Sequence, residues 1–306
     1  MTTNKFNLQL FAAGDNNDLP VRSFQLEFKN LLQAVVKKQA YFADFFGGGV
    51  EALDGVQENE TAFYVKTSDI PVVVGTGYSE DAATAFGAGT GNTSRFGNRT
   101  EVIYTNTPVQ YSWEWVFHEG LDRHTVNNDF EAAVADRLEL QSRALTHKFN
   151  VQHGNFIAGA FGHNENIASY TDDNVKALFD KLAAWYINAE AVGTKVAKVK
   201  ADLYNAIVDS ALAVQGKGSS VSIDDNGIAM FKGFAIQAVP DNLFPAGVCG
   251  LAYITGVGKA FTGINTTRTI ESEDFDGVAL QGAGKAGEFI LPDNKKAVCK
   301  ITYTGA

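Results

Sequence analysis

Few residues of this chain have the types and spacing for chemistry, and the spacing decides against most of it. The segment HEGLDRH, His118 to His124, brings two imidazoles and carboxylates together. A zinc peptidase helix carries H-E-x-x-H, which places both histidines on one face. Here position 122 is Asp122 and the second histidine comes two residues late, so a helix would turn His118 and His124 to different faces. The segment reads as a loop or hinge ahead of a long helix. His147 and His153 repeat the spacing and fail for the same reason, and His163 is a lone loop histidine beside Gly162.

Glycine–lysine pairs at GVGKAF and GAGKAG invite a phosphate-binding reading. A P-loop, G-x-x-x-x-G-K-[ST], needs glycine at 253 or 279 and a hydroxyl residue at 260 or 286. The chain has Tyr253 and Ala279, then Ala260 and Ala286. GAGTG at 87–91 lacks the strand-to-helix setting of a dinucleotide fingerprint, and GYSED is no nucleophile elbow, because position 81 is Asp81. Asp172 and Asp173 suit a helix N-terminus. ESEDFD at 271–276 lacks EF-hand spacing and reads as a solvated acidic loop. Cys249 and Cys299 form no CxxC pair and read as reduced, packed thiols of an intracellular protein. No catalytic, cofactor or metal site is expected. One enzymatic reading stays open, a hydrolase with dispersed catalytic groups drawing on His118, His124 and His163.

Composition agrees. Of 306 residues, 45% are hydrophobic and 20% charged, a globular balance with chain enough for a substantial core. A formal net charge of −10 disfavours gripping nucleic acid without preventing life beside it. No apolar run approaches the ~18 residues of a membrane span. The N-terminus fails as a secretory signal, since its short apolar stretch is broken by Asn7 and Gln9.

The elements that would position any site start with an arm. In KFNLQLFAAGDNND, Phe6, Leu8 and Leu10 alternate with polar residues as in a short strand, and Gly14 to Asp18 break it. A helical period then runs from Phe24 through Phe28, Leu31, Leu32, Val35 and Val36, and stops at the glycines of FFGGG. TAFYVK, 61–66, reads as a strand that IPVVVG extends past a proline. A Gly-, Ala- and Ser-rich stretch follows at 75–101, and strand character returns in EVIYTNTPVQYSWEWVF. Val109, Tyr111, Trp113 and Trp115 keep a period of two there. The simplest reading is one long hairpin with an elaborate tip, which an isolated two-stranded ribbon could not stabilise alone. Asn128 can cap the strongest helix, with Glu131 at the capping-box position. Its apolar positions run from Phe130 through Val134, Leu138, Leu145 and Phe149 to Ile157, about 45 Å of strut. Thr171 opens a third helix with Val175, Leu178, Phe179, Leu182 and Tyr186 on one face. KVAKVKA reads as a strand, DLYNAIVDSALAV as a helix, and the remainder as short strands and turns. The fold class is α+β.

In this order the elements resemble the major capsid proteins of tailed bacteriophages, the HK97-like capsid fold. KFNLQLFAAG is similar to the N-L-Q-x-F-A opening of structural proteins in phages of Gram-positive bacteria. VKADLYNAIVDSAL, FKGFAIQAVPDNLFP and KKAVCKITY resemble the strand–helix junction, the following strand pair and the final strand of that family. The resemblance implies an N-terminal arm at 1–26, a helix and link at 27–56, an extended β-hairpin loop at 57–117 and a peripheral domain with a spine helix at 118–170. It further implies a mixed axial domain at 171–263, return strands of the peripheral domain at 264–290 and a C-terminal strand at 291–306. The implied function is a self-assembling icosahedral shell of hexamers and pentamers around double-stranded DNA, built in the host bacterial cytoplasm and resident in the virion. Implied partners are other copies of the chain, a portal and, because 1–26 is too short for a built-in scaffolding domain, a separate scaffolding protein. No membrane and no cofactor enter. Phe6, Leu8, Leu10 and Phe11 of the arm and Tyr111, Trp113 and Trp115 of the hairpin are the expected intersubunit contacts, although the aromatic trio could equally pack on its own subunit. The rival with the same fold is the shell of an encapsulin-type bacterial nanocompartment.

Overall fold

The longest helical period forms α1 (Phe130–Gly159), 30 residues on one straight run of sequence. Asp129 caps it, its carboxylate accepting the Ala132 amide N–H at 3.1 Å, and Glu131 in the first turn complements the dipole. The expected cap, Asn128, lies outside the described residues. The computed structural model describes residues 40–53, 61–68, 70, 72–75, 77–81, 95–96, 100–126, 129–209, 222–223 and 229–305. The arm residues Phe6, Leu8, Leu10 and Phe11 and the helical period from Phe24 therefore fall outside it as well.

Beside short 3-10 helices at Asp241–Leu243 and Pro292–Ala297, thirteen strands and two further α-helices complete the described elements. They are β1 (Val50–Ala52), β2 (Thr61–Thr67), β3 (Thr105–Gln110), β4 (Trp113–Asp122), β5 (His163–Ile167), α2 (Asp172–Asn188), β6 (Lys195–Val199), α3 (Ala201–Asp209), β7 (Ser222–Ile223), β8 (Ala229–Phe231), β9 (Phe234–Ala238), β10 (Val248–Ile254), β11 (Gly258–Glu271), β12 (Gly277–Ile290) and β13 (Val298–Tyr303). The chain divides into two compact units, Gly55–Gln110 and the remainder.

The larger unit holds two sheets. One runs β1-β11-β12-β4, and α1 packs its Val134, Leu138, Leu145 and Phe149 onto Trp115, Val278, Leu280 and Ala286 of that sheet. The other runs β5-β13-β10-β6-β9-β8-β7, with β6 and β9 parallel across α3. Its centre, β10, is buried at all seven positions. Both faces are covered, so VCGLAYI is a continuous apolar run rather than an alternating one. Cys249, Ala252 and Ile254 meet α2 and α3 on one side, where all five residues assigned to the α2 face are buried. Leu251 and Tyr253 meet a second core on the other side, shared with Ile157 of α1 and Ala260 and Ile290 of the first sheet.

Residues 40–49 close that second core. Phe42 and Phe45 are fully buried and Phe46 nearly so. Gly47, Gly48 and Gly49 then turn the chain into β1 with φ of 71°, 118° and 141°, a region glycine enters without steric cost. Asp44 between the phenylalanines accepts the Tyr253 hydroxyl at 2.8 Å and pairs with the Lys198 ammonium at 3.0 Å. Burial holds Lys198 below the ordinary lysine range, a shift that Asp44 opposes.

Several expectations need correction. EVIYTNTPVQYSWEWVF is not one strand of a hairpin: it breaks at Tyr111 and Ser112. Upstream, β3 pairs with β2; downstream, β4 pairs with β12 from Asp122↔Gly277 to Trp113↔Ala286. The period of two survives the break, which is why the sequence pattern hides it. The hairpin unit thus ends at Gln110, not at 117. β2 stops at Thr67, and the described residues of IPVVVG form no strand. HEGLDRH is strand through Asp122 before it turns, and His163 opens β5 instead of lying in a loop. β11 runs unbroken through position 263, where it only shifts register between Gly263 and Thr266.

Candidate assembly surfaces

The Gly55–Gln110 unit contains an antiparallel ribbon registered from Thr61↔Gln110 to Thr67↔Thr105. Val109 is the one buried residue among those described in it. Its large apolar side chains point outward instead: Val72 is 92% exposed, Val74 86% and Phe96 85%, with Tyr64, Ile103 and Tyr104 more than half exposed. Phe96 touches Tyr78 edge-on at 5.1 Å, and Arg95 lies over the same ring. Exposed apolar surface concentrated on an element with a single buried residue among those described marks an interaction surface.

The aromatic residues expected to meet a neighbour behave differently. Trp115 is 4% exposed and belongs to the α1–sheet core, so it has no side-chain surface left for another subunit. Trp113 is half-buried, edge-on to Phe149 at 4.7 Å, and donates its indole N–H to Glu288 Oε1 at 3.0 Å. Tyr111 is half-buried with its ring 5.7 Å from Phe261, and burial pushes its hydroxyl above the ordinary tyrosine range. All three pack on their own chain, because Trp113 and Trp115 lie on β4, an edge of the body sheet rather than part of the ribbon, and Tyr111 leads directly into it.

The opposite face of β4 is bare. Val116 is 75% exposed, and an open trough of about 510 Å³ runs between it, His118, Arg268, Gln281 and Ala283. Arg268 Nε donates to Gln281 Oε1 at 2.8 Å, and Gln281 reaches His118 at 3.2 Å. His124 lies 3.6 Å from Asp276, and His163 bonds Glu165 at 2.8 Å while stacking on Trp185 at 4.2 Å. Each of the three loop-assigned histidines thus has its own partner, and no hydrogen bond joins any two of them. The Cys249 and Cys299 thiols are pushed up to about 11 and about 12 by burial, which removes the thiolate a nucleophile needs. Two of the ESEDFD carboxylates, Glu271 and Asp276, bind the Arg123 guanidinium at 2.8 and 3.0 Å. Among the described residues no group of three His, Cys, Asp or Glu could hold a metal, and no helix is long and apolar enough to cross a membrane.

Sequence reasoning missed the buried polar groups. His153 and Glu288 pair at 2.9 Å with side chains 5% and 3% exposed, although they are 135 residues apart. Only the polar positions interrupting the apolar face of α1 signalled them.

No family model and no curated protein matches the chain. Solved structures do. The chain superposes on that of the bacteriophage PhiM1 mature capsid with a TM-score of 0.62 at 10% identity, over 86% of this chain and 88% of that one. The capsid of cyanophage P-SCSP1u gives 0.61 at 12% identity, over 84% and 87%. A virus-like particle from Pyrococcus furiosus gives 0.50 at 11% identity, over 90% and 98%. At such low identity the common ground is architecture: this chain has the α+β fold of the HK97-like capsid proteins.

Proposed function

We propose that this chain assembles into the icosahedral shell of a tailed-phage head enclosing double-stranded DNA. One observation carries the reading beyond the shared fold. Among its described residues the Gly55–Gln110 unit turns Val72, Val73, Val74 and Phe96 to solvent and buries only Val109. Such a unit gains stability by lying on another copy, and repetition around five- and six-fold axes multiplies many modest contacts into a closed shell. The role is structural rather than catalytic. A net charge of −10 suits a wall that neighbours packaged DNA without gripping it. A portal and a separate scaffolding protein would accompany assembly in the host cytoplasm. The arm residues Phe6, Leu8, Leu10 and Phe11 complete the contact set as an intersubunit hook tethered by Gly14 to Asp18.

Expression followed by cryo-electron microscopy tests this. Closed particles or rings are expected, and a strict monomer in the presence of the other virion proteins would overturn the reading. Deleting 1–14 should leave the subunit folded and abolish assembly; an unfolded truncation would place the arm in its own core. The likeness to the Pyrococcus furiosus particle favours one second reading, a nanocompartment shell around protein cargo. Nucleic acid absorbance of particles purified from infected cells separates the two.

A further inference from the structure

The chain passes between the two units twice, at Asp54–Gly55 and at Gln110–Tyr111. The residues just past the second crossing are fastened within the larger unit. Tyr111 lays its ring near Phe261. Ser112 donates its amide to the Ala286 carbonyl at 2.9 Å and its hydroxyl to Glu288 Oε2 at 3.0 Å. Trp113 donates to Glu288 Oε1 at 3.0 Å and lies 5.5 Å beneath the Lys148 ammonium. Lys148 also donates to the Glu114 carbonyl at 2.7 Å.

Glu288 is the hub of this set. Its buried carboxylate takes a third hydrogen bond from His153 Nδ1 at 2.9 Å, and the imidazole is itself held by Phe46 and Phe149 rings at 4.5 and 5.6 Å. One side chain therefore joins β12, the spine helix α1 and the first two residues after Tyr111. A buried carboxylate is tolerated because its donors are all in place, so the arrangement resists loss of any of them.

We infer that Glu288 is a positioning residue that holds Ser112 and Trp113, where the chain re-enters the larger unit, rigidly against β12 and α1. Backbone rotation at Ser112 or Trp113 would break bonds to a buried carboxylate, whereas rotation at Gln110 breaks none of them. The inference does not depend on the shell reading, since it concerns the subunit before any assembly.

The test uses the unassembled full chain carrying Glu288→Gln. Residue-resolved hydrogen exchange should speed up about tenfold or more at Ser112 to Val116, while the amides of β10 keep their wild-type rates. Unchanged exchange at Ser112 to Val116, or equal acceleration throughout the larger unit, overturns the inference. Should Glu288→Gln not fold, Ser112→Ala removes a single donor from the hub, and the same localised pattern at smaller amplitude is required.

Discussion

Replacing Asp44 by alanine strands the Lys198 ammonium inside the protein. Lys198 has a side chain only 5% exposed and keeps Gln237 as a neutral partner, but its counter-charge 3.0 Å away is gone. Removing one member of a buried pair costs about 3–5 kcal/mol. Asp44 is itself 30% exposed, so solvent already screens part of the interaction and the lower end applies. The Tyr253 hydroxyl also loses its acceptor, adding about 1 kcal/mol. The expected deficit in Asp44→Ala is therefore about 3–4 kcal/mol at neutral pH, read by denaturant unfolding of the unassembled subunit. The pH dependence has a definite sign. Lys198 already titrates below its unfolded value of 10.5 because burial outweighs Asp44; without Asp44 it falls further. In the window between the folded and unfolded values the unfolded chain binds more protons, so stability rises with pH there. That window opens earlier in the variant, and its deficit must shrink as pH rises from 7 toward 10. The double variant Asp44→Ala/Lys198→Met, which removes both charges, should recover most of the loss. A neutral-pH deficit below about 1 kcal/mol, a deficit that grows with pH, or a double variant as unstable as the single one would each refute this account of the site.

Three further outcomes follow from the packing. Gly154→Ala would drive a methyl group into the carbonyl oxygen of Leu243, so its small gain in helix propensity is overwhelmed and unfolding should come about 1–3 kcal/mol earlier. Trp115→Ala should cost about 3–5 kcal/mol of subunit stability in thermal or denaturant unfolding; a variant that folds normally and fails only in assembly would return Trp115 to an intersubunit role. Changing Val72, Val73 and Val74 together to serine should leave unfolding of the larger unit unchanged and reduce particle yield by sedimentation, because these side chains are about 80–90% exposed in the subunit.

What the sequence disclosed, and what it hid, divides along physical lines. α2 was legible in full because its signal is local: a cap at Thr171 and a single apolar face from Val175 to Tyr186. The length of α1 was legible for the same reason. The end of the ribbon was not, since a strand that leaves one sheet and joins another can keep its alternation, and Tyr111 to Trp115 does. For that reason the sequence left open whether Tyr111, Trp113 and Trp115 face a neighbour or their own subunit. Asp44–Lys198 and His153–Glu288 were invisible because each pair is made by the fold from distant segments. A lone buried lysine in KVAKVKA looks like any strand lysine until its partner arrives from the FADFF turn.

The polar side of α1 has its own logic. Gln141, Ser142, Thr146, Asn150 and His153 are buried beside the apolar row, which is why a helix so firmly packed shows so little segregation of apolar and polar residues. A 30-residue helix with a uniform apolar stripe can slide along its sheet by a turn and still bury leucine against leucine. Hydrogen bonds do not permit that exchange. Gln141 donates to Glu119 at 2.6 Å, Asn150 accepts the Tyr41 amide at 3.2 Å and His153 holds Glu288. Glu119 is gripped a second time by Arg137, whose hydrogen bond holds its carboxyl below the usual carboxylate range. These ties are spread over about 18 Å of helix axis and each engages a different element, so a shift of a single turn breaks all of them at once. Buried polar groups that contribute little net stability can still select one register. In the shell proposed above, a strut that presents the same edge in every copy would have more use for a single register than for a few additional kilocalories.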